Sequence, residues 1–348
     1  MKICFVGHTF HARTRSSAFI QDVLGTLGEV TVLTSSPDGD ASADDPIVER
    51  FLAERFDLWV FWQTEYVAAR LIPLGLMNAV VAPMYDGAWA RPDAFWKQFI
   101  NQRFLTFSRT LHTKLQNLQQ RSASFEYWPK PEAVPDRDET ALRSAFFWER
   151  RPTEVPNLAS VSQQCAALEL KTLFIHAVPD NGREVGAQRL GAATHTMRSG
   201  LTVTTSTWFD DAADFRATMK TPLFHFAPRA LEGIGMMMLE AMACGQIVLA
   251  VDRPTANEYI GHLASGLLYD TDRPLDLPGL SASQREALSR AAHLRVTRGY
   301  ERWMADQERL LSFLLDDGRR WPNTDCSAHF GLTIQRKARA RRVASTRK

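Results

Sequence analysis

Eleven short apolar runs rich in β-forming residues recur along the 348-residue chain, separated mostly by amphipathic stretches of helical length. In the first half they are Lys2–Val6, Glu29–Thr34, Asp57–Trp62, Ala79–Pro83, Arg103–Phe107 and Phe125–Trp128. In the second half they are Ala145–Trp148, Thr172–His176, Leu201–Thr205, Leu223–Phe226 and Gln246–Val251. Strands that are apolar throughout, rather than at every second position, are buried on both faces, and helices between them supply the covering layers. The pattern predicts an α/β protein of Rossmann-like, doubly wound parallel sheets. The chain is too long for one ordinary core, so two such domains are expected. Three prolines in Trp128-Pro129-Lys130-Pro131-Glu132-Ala133-Val134-Pro135 continue neither a ladder nor a helix and read as a stiff linker. The expected division is 1–134, then 135–280, then C-terminal helices over 281–320 and a basic tail over 321–348. The two sheet domains would face each other across a cleft. Ser281–Leu315 has a helical pattern, with a break expected at Arg298-Gly299-Tyr300.

An apolar content of 45% with 23% charged residues is that of a globular protein in water. No apolar run is long enough to span a bilayer, and Met1–Gly7 reads as a buried strand rather than a signal peptide. Cys4, Cys165, Cys244 and Cys326 lie far apart without CxxC or Cys/His pairing, as expected for reduced thiols in the cytoplasm. Seven basic and no acidic residues occupy Arg336–Lys348, although the whole chain carries only +2. Such a run can lie on anionic headgroups at the inner membrane face, associate loosely with RNA, or stay solvated; no specific nucleic-acid site is expected.

The most informative stretch is Pro228-Arg229-Ala230-Leu231-Glu232-Gly233-Ile234-Gly235-Met236, continuing through Glu240 to Gly245. It sets two carboxylates eight positions apart around a Gly-x-Gly turn that opens a short apolar helix. A helix start offers unpaired N–H groups and a positive dipole end to a phosphate, and carboxylate oxygens accept hydroxyl protons. Were both glutamates helical, they would lie about 12 Å apart along the axis and about 80° apart around it, as separate contacts rather than a dyad. Phosphate donors between two hydroxyl acceptors describe a nucleotide-sugar site. An amphipathic helix with an acidic start is the plain alternative.

The same residues, followed by Val248-Leu249-Ala250-Val251-Asp252, Asn257-Glu258-Tyr259-Ile260 and Gly266-Leu267-Leu268-Tyr269-Asp270, resemble the E-x7-E signature of retaining GT-B glycosyltransferases of family 4, glycosyl transferases group 1. Phe146-Phe147-Trp148-Glu149-Arg150-Arg151 is similar to the family's strand ending in a phosphate-binding arginine. The likeness covers about 200–270 most closely and is faint in the first half. It implies the GT-B fold, with a C-terminal helix returning toward the first domain and the common donor held by the second domain. It also implies transfer of a sugar from a nucleoside-diphosphate sugar to an acceptor hydroxyl with retention of configuration. By resemblance Glu232 contacts the transferred sugar and Glu240 the ribose, with Gly233, Ile234, Gly235 and Met236 around the diphosphate. Arg150 would neutralise the leaving group, and Arg151 or Arg229 would replace the lysine the family usually adds. Trp208, where relatives line the base pocket, is a candidate for stacking on the base, or else an ordinary core or surface aromatic.

In the first half, Gly7-His8-Thr9-Phe10-His11 follows the first strand without the double glycine of many relatives. Asp86, after the fourth strand, either orients or deprotonates the acceptor hydroxyl or simply makes a turn before Gly87. The DxD patterns Asp38-Gly39-Asp40 and Asp136-Arg137-Asp138 read as solvated turns, so neither a metal nor a cofactor is expected, the nucleotide sugar being a substrate. The acceptor would be a glycan or a lipid-linked glycan. Two rivals stay open: a catalytically inactive GT-B protein that binds a glycan or nucleotide, and a dinucleotide-dependent oxidoreductase. The second lacks any G-x-G-x-x-G after a strand.

Overall fold

The computed structural model describes residues 1–35, 45–178, 193–197, 199–207, 209, 211–275 and 279–316. They form two compact units, one of Met1–Glu126 with the chain from Ala305, the other of Tyr127–Met304. The proline-rich stretch therefore lies within the second unit, where buried Trp128 packs edge-on against Tyr259 at 5.0 Å.

The first unit is a parallel sheet of six strands, β1 (Lys2–His8), β2 (Glu29–Ser35), β3 (Leu58–Trp62), β4 (Val80–Ala82), β5 (Arg103–Thr106) and β6 (Ser122–Ser124), in the order β2-β1-β3-β4-β5-β6. The second is a seven-stranded sheet of β7 (Ser144–Trp148), β8 (Thr172–His176), β9 (Ala193–Thr196), β10 (Thr202–Ser206), β11 (Phe224–Phe226), β12 (Ile247–Val251) and β13 (Leu267–Tyr269). Its order is β13-β12-β11-β7-β8-β10-β9, parallel except where β9 runs against β10. The central strands β3, β11 and β12 are buried at every position, and apart from His225 on β11 their sequences are apolar throughout. Cys4, Cys165 and Cys244 are free, buried thiols. The Asp38–Asp40 motif, Cys326 and the basic tail lie outside the described residues.

Two expectations need correction. The run Phe125–Trp128 is not a strand; pairing stops at Ser124. Phe125 and Trp128 are buried by side-chain packing instead: Phe125 lies under the Arg309 guanidinium at 3.9 Å and beside Phe313 at 6.5 Å. A short apolar run reports burial, and burial alone does not distinguish a ladder from a packed loop. Nor does the last helix break at Gly299: it runs unbroken from Ala282 to Leu315. Glycine is needed there for proximity, because a Cβ at 299 would enter the Trp128 ring. From Ala305 the helix belongs to the first unit, where the buried Arg103 guanidinium donates to the carbonyls of Phe313 (2.6 Å) and Leu314 (3.0 Å) and so caps its last turn.

Gly299→Ala should therefore destabilise the protein by about 1–3 kcal/mol through overpacking against Trp128. An ordinary helix-interior glycine would gain up to about 1 kcal/mol from the same change. Chemical denaturation of the two proteins distinguishes these outcomes.

Candidate active site

In the second sheet β7 comes first in sequence, β8 and β10 extend it to one side, and β11, β12 and β13 extend it to the other. The winding reverses between β7 and β11, which is where open α/β sheets leave a crevice at the carboxyl ends of their strands. Phe147 pairs with Phe226 in the ladder, so the segments Glu149–Arg151 and Ala227–Gly235 leave neighbouring strands at that reversal.

The loop after β11 brings Arg229, Glu232, Gly233, Ile234 and Gly235 to the start of the helix Met236–Ala243. Gly235 holds φ +78°, a left-handed backbone, and a Cβ there would stand 3.0 Å from the Met238 methyl. Glu232 is buried, and Thr255, arriving from the end of neighbouring β12, donates its hydroxyl proton to the Glu232 carbonyl at 3.2 Å. No side chain caps this helix. The helix Leu158–Ala167, which follows β7, differs. Asn157 and Ser160 close a capping box, and the Glu149 carboxylate accepts from the Leu158 amide at 2.8 Å. The protein's own groups occupy that second helix start.

Arg150 is half-buried with its guanidinium 5.1 Å above the Trp148 ring, whose indole N–H is in turn fixed to the Val178 carbonyl at 2.8 Å. Arg151 points its charge to Glu154, at 3.0 and 3.2 Å from the two carboxylate oxygens. Arg229 is half-buried in the loop itself. Glu240 lies about 7.5 Å along the helix axis from Gly235. Burial first, and the Glu132 carboxylate second, push its pKa up, while Arg216 and Lys220 oppose the shift. The same burial, with Glu240 and Tyr300 near, pushes the Tyr127 phenol to about 12. Trp208 lies outside the described residues; its neighbour Phe209 packs on His176 at 5.6 Å and on Phe215 at 5.7 Å.

In the first unit Asp86 stands in the first turn of the short helix Tyr85–Ala88. Its Oδ1 accepts from its neighbour's amide, that of Gly87, at 3.0 Å, and from the Gln63 side chain at 3.3 Å. Asp138 caps a turn, accepting from the Ala141 amide at 2.8 Å, and Arg137 donates to the carbonyls of Lys220, Thr221 and Cys244. Among the described residues no three His, Cys, Asp or Glu side chains converge to hold a metal. Thr255, Glu149 and Gln63 escaped the sequence reading. Each is the kind of polar residue that closely follows a buried strand, and that position was the available signal.

The fold is GT-B, as the resemblance implied. Among solved structures it is similar to the HepE protein of Anabaena in complex with UDP-glucose (TM-score 0.60, 13% identity, 90% of this chain and 99% of that one). It is also similar to sucrose-phosphate synthase from Thermosynechococcus elongatus (TM-score 0.59, 13% identity, 98% and 99%). A third neighbour is the apo lipopolysaccharide outer core galactosyltransferase WaaB (TM-score 0.60, 14% identity, 90% and 99%). Residues 203–278 match the family model for glycosyl transferases group 1, a span that includes the whole Glu232–Glu240 segment. No curated protein matches the chain. Among the described residues no helix is long and apolar enough to cross a membrane.

His225, on β11, is fully buried and stacked on Phe146 at 5.5 Å, with neither ring nitrogen hydrogen-bonded. Burial lowers its pKa to about 3, and that of buried His176 to about 4. The unfolded chain binds these protons near pH 6.5 and the folded one does not. Stability should therefore fall on acidification below about pH 6.5, by about 1.4 kcal/mol per pH unit for each histidine, until the folded pKa is reached. Unfolding free energies of the wild type and His225→Phe between pH 7 and 4 should differ in slope by one such proton.

Proposed function

We propose that the protein is a retaining, metal-independent glycosyltransferase that moves a sugar from a nucleoside-diphosphate sugar to the hydroxyl of a glycan or lipid-linked acceptor. One observation carries the reading. At the reversal point of the second sheet, a helix start with no side-chain cap, opened by left-handed Gly235, follows the loop that leaves the strand next to the one that delivers Arg150. Amides at a helix start and a planar guanidinium are complementary to a diphosphate. The family match over 203–278 and the GT-B fold support the same chemistry. UDP-glucose, bound in the HepE structure, is the first donor to test.

In this reading the amides of Ile234 to Met238 bind the diphosphate, Glu240 takes the ribose hydroxyls and Glu232 holds the transferred sugar. The bond between the anomeric carbon and the β-phosphate oxygen breaks, and its electron pair leaves with the diphosphate. The acceptor oxygen bonds to the same face of that carbon, and its proton passes to the departing phosphate oxygen. Arg150 and the helix start stabilise the charge that develops on the leaving group, the role a metal would otherwise fill. Asp86, in the first unit, orients the acceptor hydroxyl.

The test is a screen of UDP-, GDP-, ADP- and TDP-sugars by thermal shift, followed by transfer to alkyl glycosides with and without EDTA. Turnover is expected to be unchanged by EDTA, with an anomerically retained product. Glu240→Ala should weaken donor binding by about 10–100-fold, the loss of a charge-assisted hydrogen bond. Glu232→Ala should lower kcat by about 100-fold with a smaller change in donor affinity. Wild-type values for both variants would refute these roles.

A further inference from the structure

The first sheet has its own reversal point, between β1 and β3, and a chain of polar side chains meets there. Gln63 is the first residue after β3 and holds φ +53°. Residues with a Cβ, other than Asn, Asp and His, seldom adopt this left-handed conformation, and it persists where the surroundings over-determine it. The surroundings here are explicit. The Gln63 amide N–H of the backbone donates to the Ala82 carbonyl at 2.9 Å. Its side-chain oxygen lies 2.7 Å from Nε2 of buried His11, and its side-chain nitrogen lies 3.3 Å from Asp86 Oδ1. Nδ1 of His11 lies 2.6 Å from the Ser16 hydroxyl.

These contacts admit one assignment of hydrogens. Facing a carboxylate, Gln63 must present its NH2 to Asp86, which turns its carbonyl oxygen toward His11. His11 then donates from Nε2 and accepts the Ser16 hydroxyl proton at Nδ1. A neutral imidazole has one N–H and one lone pair, which fits both contacts, and burial holds His11 neutral by lowering its pKa to about 4. The donors run in one direction, from Ser16 through His11 and Gln63 to Asp86. Two N–H groups, from Gln63 and Gly87, converge on Oδ1 and fix the plane of the carboxylate.

We propose that Gln63 is a positioning residue for the acceptor: held by His11, its amide sets the Asp86 carboxylate to receive the hydroxyl of a sugar or polyol. The strained backbone at 63 is the conformation that lets one side chain reach both partners. The proposal rests on the reading of Asp86 given above, and the experiment separates the two. Transfer from UDP-glucose to octyl β-D-glucopyranoside is measured for the wild type and for Gln63→Asn, His11→Leu, His11→Gln and Asp86→Asn, alongside calorimetric titration with UDP. Asn tolerates the left-handed backbone but is one methylene too short to span His11 and Asp86.

The expected result for Gln63→Asn is a loss of about 10–100-fold in kcat for transfer, with UDP affinity within about twofold of wild type. His11→Leu should reproduce that loss, and His11→Gln, whose amide can still donate to Gln63, should restore most of it. Full transfer by Gln63→Asn and His11→Leu with Asp86→Asn crippled would overturn the positioning chain and leave Asp86 in place. Equal loss of UDP binding and folding in Gln63→Asn would make it a scaffold residue and also overturn the proposal. Full transfer by Asp86→Asn, or no wild-type turnover with this pair or the rest of the panel, would overturn the reading on which it rests.

Discussion

A parallel sheet that winds in two directions from its first strand leaves two neighbouring strand ends whose connections run to opposite faces. Backbone at that point is not covered by a crossover helix, and whatever polar groups the sequence places there stay available. Both units are built on this constraint. In the second, β7 and β11 part company and deliver Arg150 and the Glu232–Gly235 turn, with Thr255 of the adjoining β12 loop bracing the turn. In the first, β1 and β3 do the same and deliver His11, Gln63 and, from the next strand along, Asp86.

Local interactions then decide which of the exposed polar groups can serve a ligand. Two helices begin near the second reversal point. One start is closed by Asn157, Ser160 and Glu149, the other is opened by a glycine whose left-handed backbone offers no side chain at all. Two consecutive arginines follow β7. One is bridged to Glu154, three residues on, while the other is laid over Trp148. In each pair the difference arises from residues a few positions away in sequence. A change at Glu154 or Glu149 would therefore alter the site without touching it.

The alternation of apolar runs was enough to locate most of the ladder, because a strand buried on both faces has no other way to read. It failed at β6, β9 and β13, which are three, four and three residues long, and at Phe125–Trp128, where aromatics pack on a helix that begins about 150 residues later. Gly299 looked like a helix breaker because its reason for being glycine, the Trp128 ring, is remote in sequence. The donor segment was legible because its carboxylates, glycines and helix start are contiguous. Gln63 was not, since a glutamine after a strand is unremarkable until its backbone angle and its two partners, 52 positions before and 23 after, are seen together.

The central claim is that a nucleoside diphosphate docks on the amides at the start of the helix Met236–Ala243. Backbone amide NMR spectra recorded during titration with UDP, GDP, ADP and TDP test it most directly. The account predicts that one of these shifts the signals of Ile234 to Met238 more than any others in the second unit. Binding that leaves those amides in place and moves the Leu158 helix start instead, or no response to any of the four, would contradict it.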